Sequence, residues 1–123
     1  MIKAIKIYSA PDGHTKVVHG TVAENHLTAA VSIRFKTTPP HSSYDWHPAP
    51  TTQYVITLAG TLEFETFSGE TFILRPGQVL IAQDTIGSGH KWRLIDDQPW
   101  VRVYVAFNSE AEINFIPDLP TQS

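Results

Sequence analysis

Histidines are the residues of this sequence best suited to chemistry. His41 and His47 lie in a long connection, residues 37–52, that also contains four prolines and two aromatic residues. His90 follows a glycine-rich segment and opens a short alternating run. A neutral imidazole can bind a metal or accept a proton near neutral pH. Because the chain has no cysteine, any metal must be held by nitrogen and oxygen ligands.

Alternation of apolar and polar residues dominates the chain and predicts the strands that must position these histidines. Apolar residues recur at every second position through residues 27–35 and again through residues 101–107. A period of two is typical of half-buried strands. Turn signals such as Pro76-Gly77 separate the runs at short spacing. Helical spacing is absent apart from at most one turn at residues 110–113, so the sequence predicts an all-β sandwich or barrel.

Composition excludes several classes of function. The chain has 123 residues, 41% of them hydrophobic, and a formal net charge of −3, which suits one globular domain without the basic stripe of a nucleic-acid-binding protein. No apolar run is long enough to span a membrane. The alternating N-terminal segment does not resemble a signal peptide. These observations predict a cytoplasmic protein that binds neither nucleic acid nor membrane.

The segment from Trp46 to Gly60 resembles the first motif of the cupins. That motif places two histidines, a glutamate and a glycine at fixed spacing. In this chain His47 occupies the first histidine position, Ala49 the second, Gln53 the glutamate position and Gly60 the glycine position.

The second cupin motif is similar to residues 69–90, in which Gly69, Pro76-Gly77 and His90 follow one another in the expected order. The resemblance covers residues 27–107. It implies an all-β fold with a single cupin-type double-stranded β-helix, or jelly-roll barrel. We therefore predict one domain over residues 1–123, with N-terminal strands in residues 1–20 and a C-terminal arm in residues 108–123.

In metal-binding cupins the resemblance implies three histidines and a glutamate around one divalent ion. Here it leaves His47, Gln53 and His90 as the metal ligands, for zinc, iron, manganese or nickel, with water completing the shell. The set lacks an anionic ligand, which weakens affinity, and His41 or Asp45 could supply a replacement. Whether a metal is bound stays open at this point. The alternative is that the two histidines and the glutamine are structural, bonded to the backbone.

Five further residues are candidates for the wall of a ligand pocket. Trp92 lies two residues after His90 and shares its side of a strand. Arg34 and Arg102 lie on the polar faces of their strands and would favour a carboxylate if those faces line the cavity, although solvent-facing arginines are the slightly preferred interpretation. Asp84 is either an acid or base at the rim or a turn residue bonded to its own backbone. Together the pocket candidates are Trp46, Trp92, Asp84, Arg34 and Arg102.

The sequence leaves three functions open, and with them the question of whether the chain is an enzyme. One is a metal-assisted isomerase, lyase or oxygenase acting on a small polar molecule. Another is a non-catalytic barrel that binds or senses a small ligand. The third is a metal-free, epimerase-like cupin with His47 or His90 as general base. A homodimer is also expected, with the N-terminal segment 2–7 as an exposed edge strand.

Overall fold

Two β-sheets make up the structure, and the described part of the chain contains no helix. The computed structural model describes residues 1–108 and 113–119. No helix among these residues is long and apolar enough to cross a membrane. In chain order the strands are β1 (Ile2–Ser9), β2 (Thr15–Val22), β3 (Ser32–Thr38), β4 (Ser43–His47), β5 (Gln53–Ala59), β6 (Leu62–Thr66), β7 (Thr71–Leu74), β8 (Val79–Gln83), β9 (His90–Leu94), β10 (Trp100–Ala106) and β11 (Ile116–Pro117).

The strands divide into a seven-stranded sheet, ordered β11-β2-β1-β8-β5-β10-β3, and a four-stranded sheet, ordered β4-β9-β6-β7. All pairings are antiparallel except that between β1 and β8. The predicted all-β fold is thus confirmed. Its strands are divided between two sheets and do not form one continuously hydrogen-bonded barrel.

The main core lies between the two sheets. Ile5 and Ile7 on β1 and Leu80 on β8 come from the larger sheet, and Leu62 and Phe64 on β6 come from the smaller one. All five are buried. Burying one such side chain contributes about 1.5–3 kcal/mol, which stabilises the packing of the two sheets against each other. The inward face of β5 also carries Gln53, Val55 and Thr57, as its alternation predicts.

A second, smaller cluster covers part of the outer face of the seven-stranded sheet. Buried Val79 and Ile81 on β8 pack there against Ile113 and Phe115. The C-terminal segment is held in place by β11, which pairs with β2. The single helical turn predicted at residues 110–113 lies, except for its last residue, outside the described part of the chain.

Three local expectations from the sequence were wrong. The strand predicted from residue 27 begins at Ser32, and its apolar residues Ile33 and Phe35 are exposed because β3 is an edge strand with no described residue over its outer face. The connection 37–52 is not a simple loop, since it contains β4. The N-terminal segment is not an edge strand, because β1 pairs with β2 on one side and β8 on the other.

Candidate functional site

A cavity of about 590 Å³ lies between the two sheets. Its walls come from β3, β5, β8 and β10 of the larger sheet and from β4, β6 and β9 of the smaller one, together with the connection after β4. This volume is within the range of pockets that hold small molecules. His47, Gln53 and His90 all line it, so the structure brings together the three residues of the cupin resemblance.

The two histidines face each other across neighbouring strands. His47 on β4 is the register partner of His90 on β9, and their ring centroids are 4.5 Å apart. The preceding glycine makes this approach possible. Gly89 has φ +70°, and a Cβ atom there would collide with the backbone of His47. The glycine-rich segment before β9 therefore sets the distance between the two imidazoles.

A buried carboxylate supports His90 from behind. Nδ1 of His90 lies 2.6 Å from Oδ2 of Asp84, and the hydroxyl of Thr15 donates to the same oxygen at 3.0 Å. Asp84 is fully buried, and its Oδ1 has no hydrogen-bond partner among the described residues. Since an ionised carboxylate can only accept, it fixes the proton of His90 on Nδ1 and leaves Nε2 as the ring nitrogen available for a ligand. Asp84 is therefore neither a rim residue nor one bonded to its own backbone.

His47 is oriented in a similar way by its own loop. Its Nδ1 lies 2.7 Å from the carbonyl oxygen of Asp45, and because a carbonyl cannot donate, Nδ1 carries the proton. Burial lowers the pKa of His47 below its ordinary value of 6.5, and the neighbouring His90 lowers it further, against the opposing effects of the Asp45 carbonyl and the Asp84 charge. The neutral imidazole is therefore favoured, with its Nε2 lone pair free.

Gln53 completes the group. Its side chain is only 6% exposed, lines the cavity and has no hydrogen-bond partner among the described residues. Its amide atoms are not fully enclosed by protein, so they are accessible from the cavity and available to a ligand. The structural alternative requires this amide to bond to the backbone, and no such hydrogen bond is present among the described residues.

Basic residues form the opposite wall. Arg34 and Lys36 on β3 and Arg102 on β10 line the cavity, and Arg102 is the register partner of Lys36. The slightly preferred interpretation from the sequence, that both arginines face solvent, was wrong for Arg102, which is buried. Arg34 and Lys36 line the cavity but are themselves exposed, so they lie at its rim. Ile33 and Phe35 lie on the opposite face of β3 and are also exposed. Lys36 was missed from the sequence, although its position two residues after Arg34 places it on the same face.

The remaining sequence candidates divide between the inside and the outside of the cavity. Trp92 lines it beside His90, as predicted. Trp46 does not, since its ring packs edge-on against Phe67 with Lys91 over its face. His41 also lies elsewhere and pairs with Asp97 at 3.2 Å on the surface.

A divalent metal ion in this cavity would need several nitrogen or oxygen ligands from the surrounding side chains. Among the described residues no group of three or more histidine, cysteine, aspartate or glutamate side chains could hold a metal ion. Neither His41 nor Asp45 lines the cavity, so neither supplies the missing ligand. The two Nε2 atoms and the Gln53 amide oxygen are nevertheless chemically suitable, and the Asp84–His90 contact is the kind that orients a metal-bound imidazole. These three residues therefore fit a weakly held ion with water in its remaining positions.

Several solved structures are similar to parts of this one. A conserved protein of unknown function from Streptococcus pyogenes has 20% identity and a TM-score of 0.47 over 63% of this chain and 64% of that chain. The CENP-C cumin domain of Drosophila melanogaster has 16% identity and a TM-score of 0.47 over 82% and 71% of the two chains. The Cupin_2 domain of an XRE family transcriptional regulator from Enterobacter cloacae has 17% identity and a TM-score of 0.35 over 88% and 99%.

No protein-family model and no curated protein matches the chain. The match spans less than two thirds of the Streptococcus protein, 64% of its length. At these identities and TM-scores the likenesses assign neither a family nor a function. The chain is a small all-β domain, and its activity has to be inferred from its own cavity.

Proposed function

We propose that this chain binds one small polar molecule in the cavity between its sheets and transfers a proton to and from it through His90, with His47 opposite. The observation that carries the proposal is the contact of 2.6 Å between Nδ1 of His90 and the fully buried Asp84. A carboxylate in this position has a specific chemical consequence. When Nε2 of His90 accepts a proton from the ligand, Asp84 stabilises the positive charge that forms on the ring.

The cavity supplies the other requirements of such a reaction. Trp92 and Trp100 supply an apolar part of the wall, and the Gln53 amide is available to orient a polar group of the ligand. The pKa of His47 is lowered, so this ring is available as a neutral hydrogen-bond partner. The proton taken by His90 is returned to the ligand at the same or another position, or exchanges with solvent, so no redox partner is required.

The test is proton exchange in heavy water. Purified protein is incubated in D₂O with a panel of small polar metabolites, and loss of C–H signals is followed by NMR. Exchange that is abolished in His90→Gln and insensitive to chelators supports metal-free proton transfer. Ligands that raise the melting temperature without any exchange would instead indicate a non-catalytic binding protein.

A metal-assisted reaction is the second candidate, favoured because both imidazoles are hydrogen-bonded through Nδ1 and leave Nε2 for an ion. His47, Gln53 and His90 would hold the ion through Nε2, Oε1 and Nε2, and the ion would polarise an oxygen of the ligand. Metal analysis after incubation with zinc, iron, manganese or nickel tests this candidate. If this candidate is correct, the wild type binds the metal, and both His47→Ala and His90→Ala lose it. Removing the metal with a chelator then also abolishes the exchange activity.

A further inference from the structure

The basic wall of the cavity has a property that proton transfer at the histidines does not require. Arg102 is only 2% exposed, and no described carboxylate lies within ion-pair distance of it. A buried guanidinium normally has an anionic partner, because desolvating an unpaired charge is costly. Among the described residues that line the cavity there is no aspartate or glutamate.

Neutral groups hold Arg102 in place without neutralising its charge. Its Nε donates to the hydroxyl of Tyr104 at 3.0 Å, and its Nη1 donates to the hydroxyl of Thr38 and to the carbonyl of Trp100. The guanidinium also lies 3.8 Å from the centre of the Trp100 ring. These contacts fix the plane of the group. Nη2 has no hydrogen-bond partner among the described residues and is the donor left for a ligand.

Two further cations extend the same wall. The guanidinium of Arg34 stacks on the Tyr104 ring at 4.8 Å, and Lys36 lies between Arg34 and Thr38 on the side of β3 that lines the cavity. Both side chains are exposed, so they form the rim of the subsite, whereas Arg102 forms its buried end. Neither has a described carboxylate as partner. Strand geometry causes the clustering, since residues 34, 36 and 38 share one face of β3 and are in register with residues 104, 102 and 100 of β10.

From this arrangement we infer that Arg102, Arg34 and Lys36 form a subsite for the anionic group of the ligand, and that the ligand is a small organic carboxylate. A planar carboxylate suits the fixed planar guanidinium of Arg102. The apolar side chains that share the cavity, Val55, Phe64 and Leu80 among them, suit the hydrocarbon part of such an acid. This inference rests on the proposed function, because it assigns the substrate class of the same cavity.

The experiment is a comparison of benzoate with benzamide, two molecules of nearly equal shape of which only the first is charged. Binding is measured by calorimetry up to millimolar concentration on the wild-type protein and on Arg34→Gln, Lys36→Gln and Arg102→Gln. Arg75→Gln is the matched control, since Arg75 lies in an exposed turn away from the cavity. Because Arg102 is buried and its variant can fail to fold, the two β3 variants keep the test decisive.

We expect benzoate to bind and benzamide to bind much more weakly. Each β3 substitution should weaken benzoate binding about tenfold, as expected for the loss of a charge-assisted contact, while Arg75→Gln leaves it unchanged. Equal binding of the two probes, or benzoate binding that is indifferent to the β3 substitutions, would overturn the anionic subsite. So would the absence of benzoate binding.

Inorganic phosphate serves as a third probe. Phosphate that binds more tightly than benzoate and competes with it would overturn the assignment to carboxylates, whereas weaker binding supports it. Failure of the subsite is distinguishable from failure of the proposed function. Loss of charge selectivity leaves the His90-dependent exchange in D₂O intact, and loss of that exchange leaves benzoate binding intact.

Discussion

His90 and Asp84 lie six residues apart in the chain, and their side chains meet at 2.6 Å in a buried contact behind the cavity wall. The distance is short for a hydrogen bond between nitrogen and oxygen and is typical of a charge-assisted one. Asp84 does not line the cavity, whereas His90 does. The carboxylate therefore acts on a ligand only through the imidazole, which makes it a positioning residue.

Replacing Asp84 with Asn tests that role. The amide keeps the shape and can still accept from Nδ1 of His90, but it no longer stabilises positive charge on the ring. We expect proton exchange at the bound ligand to fall about 10²-fold or more, with ligand affinity nearly unchanged. Turnover and binding measured on the same preparation separate the two effects.

Thr15→Val is the matched control, because it removes only the second hydrogen bond to Asp84. We expect it to cost about 1 kcal/mol of stability and to change exchange much less than the Asn variant does. Equal losses of exchange in both variants would mean that the contact is purely structural.

Gly89 is expected to be the most sensitive glycine of the site. Replacing it with Ala places a Cβ against the backbone of His47, in a backbone conformation with φ +70°. Gly69→Ala is a natural control, since Gly69 has φ +95° and no atom within 4 Å of the added Cβ. We expect Gly89→Ala to lower the free energy of unfolding by about 1–3 kcal/mol more than Gly69→Ala does. Urea denaturation measures both, and equal effects would exclude the collision as the cause.

The lowered pKa of His47 predicts how the metal-free protein responds to acid. Because the folded state holds His47 neutral, the unfolded state binds the proton more readily as the pH falls below 6.5. This contribution to stability is fully present above pH 6.5 and is lost as the pH falls through the lowered pKa of the folded state.

His47→Asn should therefore reduce the acid sensitivity of the unfolding free energy, since Asn can also donate to the Asp45 carbonyl but does not titrate. His26→Asn, at an exposed position outside the cavity, is the control for the removal of a histidine. Denaturation series in chelator above and below pH 6.5 measure the difference. An unchanged slope in His47→Asn would contradict this assignment.

The outer face of β3 predicts self-association. Ile33 and Phe35 are 62% and 70% exposed on a strand whose second edge has no partner among the described residues. A second copy of the chain can pair with this edge in an antiparallel, two-fold arrangement and cover both apolar side chains.

We expect light scattering to give the mass of a homodimer for the wild type and of a monomer for Phe35→Asp. Ile86→Asp is the control at a similarly exposed apolar position outside β3, and it should remain dimeric. A wild-type monomer at all concentrations would refute the prediction.

Much of the fold followed from the sequence alone. Period-two alternation identified β5 and β10, and the turn residues separated the strands, because both signals depend on local backbone geometry. The spacing of His47, Gln53 and His90 in the cupin resemblance was enough to place them in one cavity. Alternation, turn residues and motif spacing are local properties of a segment and can be read without knowing its neighbours in the fold.

Only the tertiary structure decided which face of a strand lines the cavity. On β3 the apolar residues Ile33 and Phe35 lie on the face away from the cavity, and Arg34 and Lys36 line its exposed rim, contrary to what hydrophobicity alone predicts. The position of Asp84 behind His90 also depended on packing, since it requires β8 and β9 to come from different sheets. Alternation defines two faces, but it is the neighbouring strands and sheets that determine which face is buried.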